Sequence, residues 1–157
     1  LSVMLSSIMD HASEGYNYEI IILHKGISSD YTQKLQEQIS IKPNFSLRML
    51  DISSFLVNLS FYTENRRDIT EETYFRLLAP FILREYDRAI YVDGDMITLT
   101  DIAKLWQIDL GNSMIAAVRD YCGIAEAYDF KSTRRKYMLE GIGIKNPDNY
   151  YIAGYCS

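Results

Sequence analysis

The sequence predicts an α/β fold with a mostly parallel β-sheet and helices on both faces. Short apolar runs, typical of strands buried on both faces, alternate along the chain with longer segments of helical periodicity. Strands joined by helical segments of ten or more residues pair in parallel. The chain contains no internal repeat, low-complexity tract or linker, so we expect one domain over residues 1–157.

The amino-terminal third is predicted to alternate helix, strand, helix, strand. Apolar residues at helical spacing predict a helix over residues 1–13, and the run YEIIIL predicts a buried strand over 18–23. Serine and aspartate at 28–30 are typical N-cap residues for a helix extending to about residue 39. After a Pro-Asn turn, the alternating segment FSLRML predicts a second strand over 45–50.

The middle of the chain is predicted to hold another helix and strand. A weaker segment leads from residue 51 to near residue 63. Thr70, followed by two glutamates, is typical of a helix start, because the helix dipole favours acids in the first turn. This helix is expected to reach about residue 86, with a bend at Pro80, because proline cannot donate the interior hydrogen bond. The run AIYV then predicts a buried strand over 89–92.

Three elements are predicted for the carboxyl-terminal third. Asp101 is expected to cap a short helix that carries Leu105 and Trp106. The run SMIAAV predicts a buried strand over 113–118, and residues 123–142 are expected to be helical.

The composition excludes several classes of protein. A formal net charge of −5 argues against a nucleic-acid surface, which requires a concentrated basic patch. Cys122 and Cys156 form neither a disulfide framework nor a zinc site by spacing, so a cytoplasmic location is expected. No run approaches the roughly 20 apolar residues of a membrane span. The abrupt ends lead us to expect a domain truncated at both termini, with any peripheral contact to the cytoplasmic face of a membrane made by other segments.

Two aspartates directly follow the predicted strand over 89–92. Side chains at i and i+2 of an extended chain point to the same side, so those of Asp93 and Asp95 would have Cβ atoms about 6–7 Å apart. Two anions at that separation repel by about 2–3 kcal/mol at an effective dielectric constant of about 20. A divalent cation reverses the sign of this interaction, and hard oxygen ligands suit Mg²⁺ or Mn²⁺. The alternative is an ordinary polar turn, because Asp and Gly are common turn residues.

The surrounding motifs resemble glycosyltransferase family 8, which includes glycogenin and bacterial lipopolysaccharide galactosyl- and glucosyltransferases. The resemblance lies in the helix segment Thr73-Tyr74-Phe75-Arg76-Leu77, the strand end Tyr91-Val92-Asp93-Gly94-Asp95, the pair Leu105-Trp106, and the segment Ala116-Ala117-Val118-Arg119-Asp120. The spacings agree with the family pattern without gaps from Thr73 to Asp120.

The resemblance implies a Rossmann-like nucleotide-diphospho-sugar transferase fold. It implies metal-dependent, retaining transfer of a hexose from a UDP-sugar, with Mn²⁺ or Mg²⁺ as the cofactor. The expected partners are a UDP-hexose donor and a saccharide or glycolipid acceptor, in cell-surface polysaccharide or lipopolysaccharide synthesis. These 157 residues alone are expected to be inactive.

The resemblance also assigns roles by matched position. Asp93 and Asp95 would bind the metal, and the backbone of Gly94 would lie against the ribose. Arg76 would reach the donor, with Thr73 beside it one helical turn earlier. Structural alternatives remain for two of these residues: Arg76 could pair with Glu72 at i−4, and Thr73 could be a surface helix residue.

Asp120 is expected to be the catalytic residue, because the resemblance places it opposite the transferred sugar or the acceptor. Its alternative is simply to end a strand. The Phe-Asn-Ala-Gly turn of the family corresponds to Tyr151-Ile152-Ala153-Gly154, which makes Ala153 a donor-binding residue and puts Ile152 in place of a polar residue. A second register would set residues 155–157 on this turn. Neither His11 nor His24 matches the family's late metal-binding histidine, so both are expected to be structural or surface residues.

Two rival functions come from different classes. The segment Asp93-Gly94-Asp95-Met96-Ile97-Thr98 resembles the nucleophile loop of haloacid-dehalogenase-type phosphatases, but that loop usually follows the first strand of its domain. The second rival is a non-catalytic nucleotide-sugar-binding fragment or pseudoenzyme, an alternative that Ile152 and the abrupt ends of the chain leave open.

Overall fold

The structure, a computed structural model, describes residues 1–61 and 70–147, except for the side chain of Cys122. The chain divides into two compact units, Leu1–Ile108 and Asp109–Ser157. Helices alternate with strands that pair in parallel, so the predicted α/β class is confirmed. A single domain over residues 1–157 stays a prediction.

The sheet of the first unit consists of two parallel strands. Strand β1 (Tyr18–His24) pairs with β2 (Phe45–Asp51), which confirms the strands expected over 18–23 and 45–50. Tyr18 lies opposite Phe45 in the register, and their rings stack with centroids 4.6 Å apart. The two strands therefore begin side by side, and their carboxyl ends come together at the same edge of the sheet.

Two helices pack on this pair of strands to form the core. Helix α1 spans Ser2–His11 and α2 spans Ser29–Ile39, as expected. The Ser28 side chain caps α2 by accepting a hydrogen bond from the Tyr31 backbone N–H at 3.3 Å. Buried core residues come from both helices, both strands and one later helix: Met4, Leu5, Ile8, Met9, Tyr18, Leu35, Ile39, Phe45 and Ala103.

A short helix and a longer helical segment follow β2. Helix α3 spans Ser53–Leu56. A 3₁₀ turn, Glu71–Tyr74, leads directly into α4, Phe75–Ile82. Thr70 precedes this turn as predicted, and its backbone N–H donates to the Thr73 hydroxyl at 3.3 Å.

Helix α4 ends four residues earlier than predicted, because polar contacts turn the chain toward the sheet. Arg48 of β2 lies 2.6 Å from the Glu85 carboxylate and donates to the Tyr86 hydroxyl at 3.2 Å. At the other end, Lys25 just after β1 lies 2.5 Å from Glu71. These groups are well exposed, so their contacts help to orient α4 but contribute little to the stability of the fold.

The strands predicted over 89–92 and 113–118 are wrong. In the part of the chain that the structure describes, β1 and β2 form the only sheet, and neither segment is hydrogen-bonded into it. Val92 still packs against the core, whereas Met114 in the second unit is 96% exposed. A strand requires a neighbouring backbone as well as an apolar sequence. The aspartates at 93 and 95 therefore follow a segment outside the described sheet instead of a central strand.

The remaining helices are short. Helix α5 spans Ala103–Trp106 with Ile102 at its N-cap position, one residue after the predicted Asp101. The Asp101 carboxylate still accepts a hydrogen bond from the first helical N–H, that of Ala103, at 2.9 Å. The second unit contains α6 (Tyr121–Tyr128), α7 (Thr133–Lys136) and a π turn (Tyr137–Gly141), so the helix expected over 123–142 is broken. Within residues 1–61 and 70–147, no helix has the length and apolar character needed to cross a membrane.

Leu5 tests this core, because its side chain is fully buried between α1 and the sheet. Leu5→Ala should lower the free energy of unfolding by about 2–5 kcal/mol, since it removes buried methyl groups and leaves a cavity. Val3 lies exposed on the same helix, and Val3→Ala should change stability by less than about 0.5 kcal/mol. Chemical unfolding measures both changes. Equal losses would contradict the packing described here.

Candidate functional site

Asp93 receives two hydrogen bonds on the same oxygen. Arg76 Nη2 donates to Asp93 Oδ1 at 2.9 Å, and the Tyr91 hydroxyl donates to that atom at 2.8 Å. The side chains of Arg76 and Asp93 are only 27% and 25% exposed. A guanidinium, a phenol and a carboxylate thus meet in a partly buried place within the first unit.

The start of α4 positions Arg76. Its Nε donates to the Thr73 carbonyl oxygen at 3.0 Å, one helical turn earlier. The Thr73 hydroxyl meanwhile accepts the hydrogen bond from the Thr70 backbone described above. The structure therefore brings Thr73 and Arg76 together, as predicted, and Thr73 contacts the arginine through its backbone.

Arg76 pairs with Asp93 and not with Glu72, the alternative partner considered in the sequence analysis. The two residues are 17 positions apart in sequence, so the contact joins α4 to the segment that carries the aspartates. Glu72 instead lies 3.4 Å from Lys25. The i−4 pair of Arg76 with Glu72, both described residues, is therefore not formed, and the two residues have different partners.

Tyr91 is a site residue that the sequence analysis missed. The Arg76 guanidinium carbon lies 4.7 Å from the centroid of the Tyr91 ring, within range of a cation–π contact. Partial burial, together with the hydrogen bond to Asp93, raises the pKa of Tyr91 to about 12, although the residue is 51% exposed. The signal was present: Tyr91, Asp93 and Asp95 alternate in the sequence, at spacing i, i+2, i+4. It was overlooked because Tyr91 was counted as an apolar strand residue.

Gly94 and Asp95 form an exposed turn beside Asp93. The Met96 backbone N–H donates to the Asp93 carbonyl oxygen at 3.4 Å, so the segment is a turn as well as a candidate site. The Asp95 charge contributes to the raised pKa of Tyr91, as a minor cause. A side chain at Gly94 would meet Leu1 at an ordinary 3.7 Å, so packing does not require a glycine there. The contact of its backbone with a ribose stays a prediction.

Asp120 lies in the second unit and caps a helix. Its carboxylate accepts from the Gly123 backbone N–H at 2.8 Å at the start of α6, and Arg134 lies 3.7 Å away. The side chain is largely buried. Asp120 thus has a structural role as an N-cap, and its predicted role toward the transferred sugar stays a prediction. Ala153 and Ile152 lie outside the described residues.

Both histidines make local backbone contacts. His11 Nδ1 lies 2.8 Å from the Ser7 carbonyl oxygen, and His24 Nδ1 accepts from the Gly26 N–H at 3.2 Å. These contacts agree with the structural roles expected of them.

The carboxylate oxygens of Asp93 and Asp95 suit a divalent cation that a substrate also helps to bind. Across residues 1–61 and 70–147, no cluster of three or more His, Cys, Asp or Glu side chains could hold a metal ion. Two carboxylates suffice for Mg²⁺ or Mn²⁺ when substrate phosphates and water complete the coordination. Asp93 and Asp95 supply this minimum, so the two residues fit a cation site shared with a substrate.

Comparisons with known proteins agree with these motifs. The sequence matches the family model for glycosyl transferase family 8 over residues 1–155. General stress protein A of Bacillus subtilis (strain 168) is 26% identical over 122 residues, which are 76% of this chain and 41% of that protein. Glycosyltransferase GlyD of Streptococcus pneumoniae serotype 4 is 30% identical over 129 residues, which are 79% of this chain and 14% of the relative.

A solved structure is similar over nearly the whole chain. The apo structure of the bifunctional glycosyltransferase WbbM is 27% identical, with a TM-score of 0.81, over 98% of this chain and 28% of that protein. The chain therefore spans less than half the length of the proteins compared here.

A double-mutant cycle tests the ion pair that organises the site. Arg76→Ala and Asp93→Asn should show a coupling free energy of about 1 kcal/mol, the upper end for surface pairs, because both side chains are about three-quarters buried. Urea unfolding of the wild type, both single variants and the double variant measures it.

The control cycle uses Asp30 and Lys34, an exposed i,i+4 pair on α2 with a 2.8 Å contact. Its coupling should stay below about 0.5 kcal/mol. A value for Arg76 and Asp93 no larger than this control would mean that their pair does not form in solution.

Proposed function

Because the chain belongs to glycosyltransferase family 8, we propose that its protein transfers a hexose from a UDP-sugar to a saccharide or glycolipid acceptor. The transfer retains the anomeric configuration and takes part in cell-surface polysaccharide or lipopolysaccharide synthesis. We place it in the cytoplasm, with any membrane contact made peripherally by other segments. The relatives named as glycosyltransferases support this class of reaction.

One observation carries the proposal: Arg76 and Asp93, from two separate family motifs, meet at 2.9 Å. The pair links the helix motif to the aspartate motif instead of closing a contact within α4. The contact of Arg76 with the first aspartate puts a cationic and an anionic ligand-binding group side by side. Such a pair is suited to a ligand that carries both a metal ion and phosphate or sugar oxygens.

Asp93 and Asp95 would hold Mn²⁺ or Mg²⁺ together with the donor diphosphate. When bound, the cation supplies Lewis-acid stabilisation of the negative charge on departing UDP. With Arg76, the three side chains carry a formal charge of −1, which favours a divalent cation over an anion alone.

Arg76 would act as a fixed positive charge beside this cation. Its Nε is held by the Thr73 carbonyl and its Nη2 by Asp93, so the guanidinium plane is oriented before the donor arrives. Planar N–H donors suit phosphate and sugar oxygens, and preorganised donors stabilise charge that develops during transfer. In this proposal the Gly94 backbone lies against the ribose.

Asp120 and Ala153 complete the proposal in the second unit. Asp120 would face the transferred sugar or acceptor, and Ala153 would contact the donor. Both assignments rest on matched motif positions. The family match places the chain outside the haloacid-dehalogenase group, so the phosphatase alternative receives no support.

Replacing either site aspartate by asparagine tests the proposed cation site in the full-length protein. Asp93→Asn and Asp95→Asn should each weaken Mn²⁺-dependent UDP binding by at least about 100-fold, more than the loss of an outer hydrogen-bond partner costs. Calorimetric titration with Mn²⁺ and UDP measures this. Asp87→Asn, at an exposed aspartate in the same unit, is the control. Affinity like that of the wild type in both site variants would leave the pair as a polar turn.

The same variants should differ in apo stability. Asp93→Asn should lower the free energy of unfolding by about 1 kcal/mol, because it removes the partner of Arg76. Asp95→Asn should leave it unchanged or slightly raised, because like-charge repulsion is relieved. Thermal unfolding without metal makes the comparison. A larger loss in Asp95→Asn would contradict the pairing seen here.

Arg76 substitutions test the proposed transfer. Arg76→Ala should slow transfer at saturating donor by about 100-fold, as removal of one preorganised donor does, and should lower the free energy of unfolding by only about 1 kcal/mol, as Asp93→Asn does, because both changes break the same ion pair. Arg76→Lys should recover only part of the rate, since it keeps the charge but loses the planar fork. Normal turnover with a large loss of stability would mean that Arg76 is structural. UDP binding by the wild type without any transfer would favour the non-catalytic alternative.

A further inference from the structure

We propose that Tyr91 is a positioning residue for Asp93, and that it orients this carboxylate for cation binding. The hydroxyl holds Asp93 Oδ1, and the aromatic ring holds Arg76, the second donor to that atom. The inference rests on the proposed function, because it concerns the same cation site.

The two hydrogen bonds fix the rotation of the carboxylate group. The terminal torsion of an aspartate side chain is broad and soft, so an unassisted carboxylate samples many orientations. Donors from two different side chains, at 2.8 and 2.9 Å on one oxygen, restrict that motion. Among the described residues, no hydrogen bond or ion pair falls on Oδ2, the oxygen that would face a cation.

The Tyr91 ring has a separate effect on Arg76. The guanidinium carbon lies 4.7 Å from the ring centroid, and the Thr73 carbonyl accepts a hydrogen bond from Nε at 3.0 Å. The ring and the carbonyl together limit the rotamers of Arg76 that still reach Asp93. Tyr91 therefore supports the carboxylate twice, directly through the hydroxyl and indirectly through the arginine.

A phenol also suits this position by charge. Asp93 and Asp95 together carry −2, and Arg76 reduces this to −1. A second cationic side chain on Oδ1 would cancel the remaining charge and oppose a divalent cation. A tyrosine hydroxyl donates the hydrogen bond while remaining neutral at physiological pH, so the attraction for the cation is kept.

Two substitutions separate these effects in the full-length protein. Tyr91→Phe removes the hydroxyl and keeps the ring, and it should weaken Mn²⁺-dependent UDP binding by about 10-fold, the lower end for partners of metal-binding groups. Tyr91→Leu removes the ring as well and should weaken binding further. Calorimetric titration with Mn²⁺ and UDP measures both. In transfer assays, the Mn²⁺ concentration giving half-maximal rate should rise for Tyr91→Phe, while kcat at saturating Mn²⁺ stays close to that of the wild type.

Tyr18→Phe is the matched control, because the Tyr18 hydroxyl also donates to an aspartate, Asp101 Oδ1, at 2.9 Å in the same unit. It should leave the Mn²⁺ dependence unchanged even if it lowers stability. Equal or tighter Mn²⁺ binding in Tyr91→Phe would overturn the proposal, and so would a rate loss that excess Mn²⁺ does not restore. Asp93→Asn distinguishes failure of the proposed function from failure of this inference. If Asp93→Asn also binds Mn²⁺ and UDP like the wild type, the proposed cation site is wrong. If Asp93→Asn weakens binding and Tyr91→Phe does not, only the role of Tyr91 is refuted.

Discussion

The ion pair between Arg76 and Asp93 is the interaction on which the candidate site depends. From the sequence alone, two aspartates separated by one glycine pose a problem of repulsion, and a metal ion was the expected solution. The structure shows that a guanidinium 2.9 Å from Asp93 already compensates one of the two charges. With Arg76, the two aspartates therefore keep a formal charge of −1, which still favours a divalent cation.

This pair connects the site to the fold. Arg76 lies in the first turn of α4, where its Nε is held by the carbonyl of Thr73 in the preceding 3₁₀ turn. The segments on either side of α4 are tied to Lys25 and Arg48 through Glu71 and Glu85. On the other side, Val92 packs against the core and fixes the segment just before Asp93. Burial therefore determines where the carboxylate lies, and polar contacts determine where the guanidinium lies.

Local signals in the sequence predicted most of the first unit. The apolar runs of β1 and β2, the Ser28 cap and the hydrogen bond of Asp101 at the start of α5 all depend on residues close together in the chain. The strand expected over 89–92 did not form, because strand pairing depends on a partner that no local pattern specifies. The end of α4 was misplaced for the same reason, since Arg48 belongs to a distant strand. The family pattern predicted that Arg76 and Asp93 serve the same donor site, but it did not predict their contact with each other. Tyr91 was missed because its neighbours in the sequence are apolar.

The measurement that tests this account most directly is a crystal structure of the full-length protein with Mn²⁺ and UDP, using anomalous scattering to locate the manganese. We expect a manganese peak about 2 Å from a carboxylate oxygen of both Asp93 and Asp95, with Arg76 and Tyr91 still donating to Asp93 Oδ1. Manganese bound elsewhere, with Arg76 and Asp93 paired and no metal near either aspartate, would contradict the account.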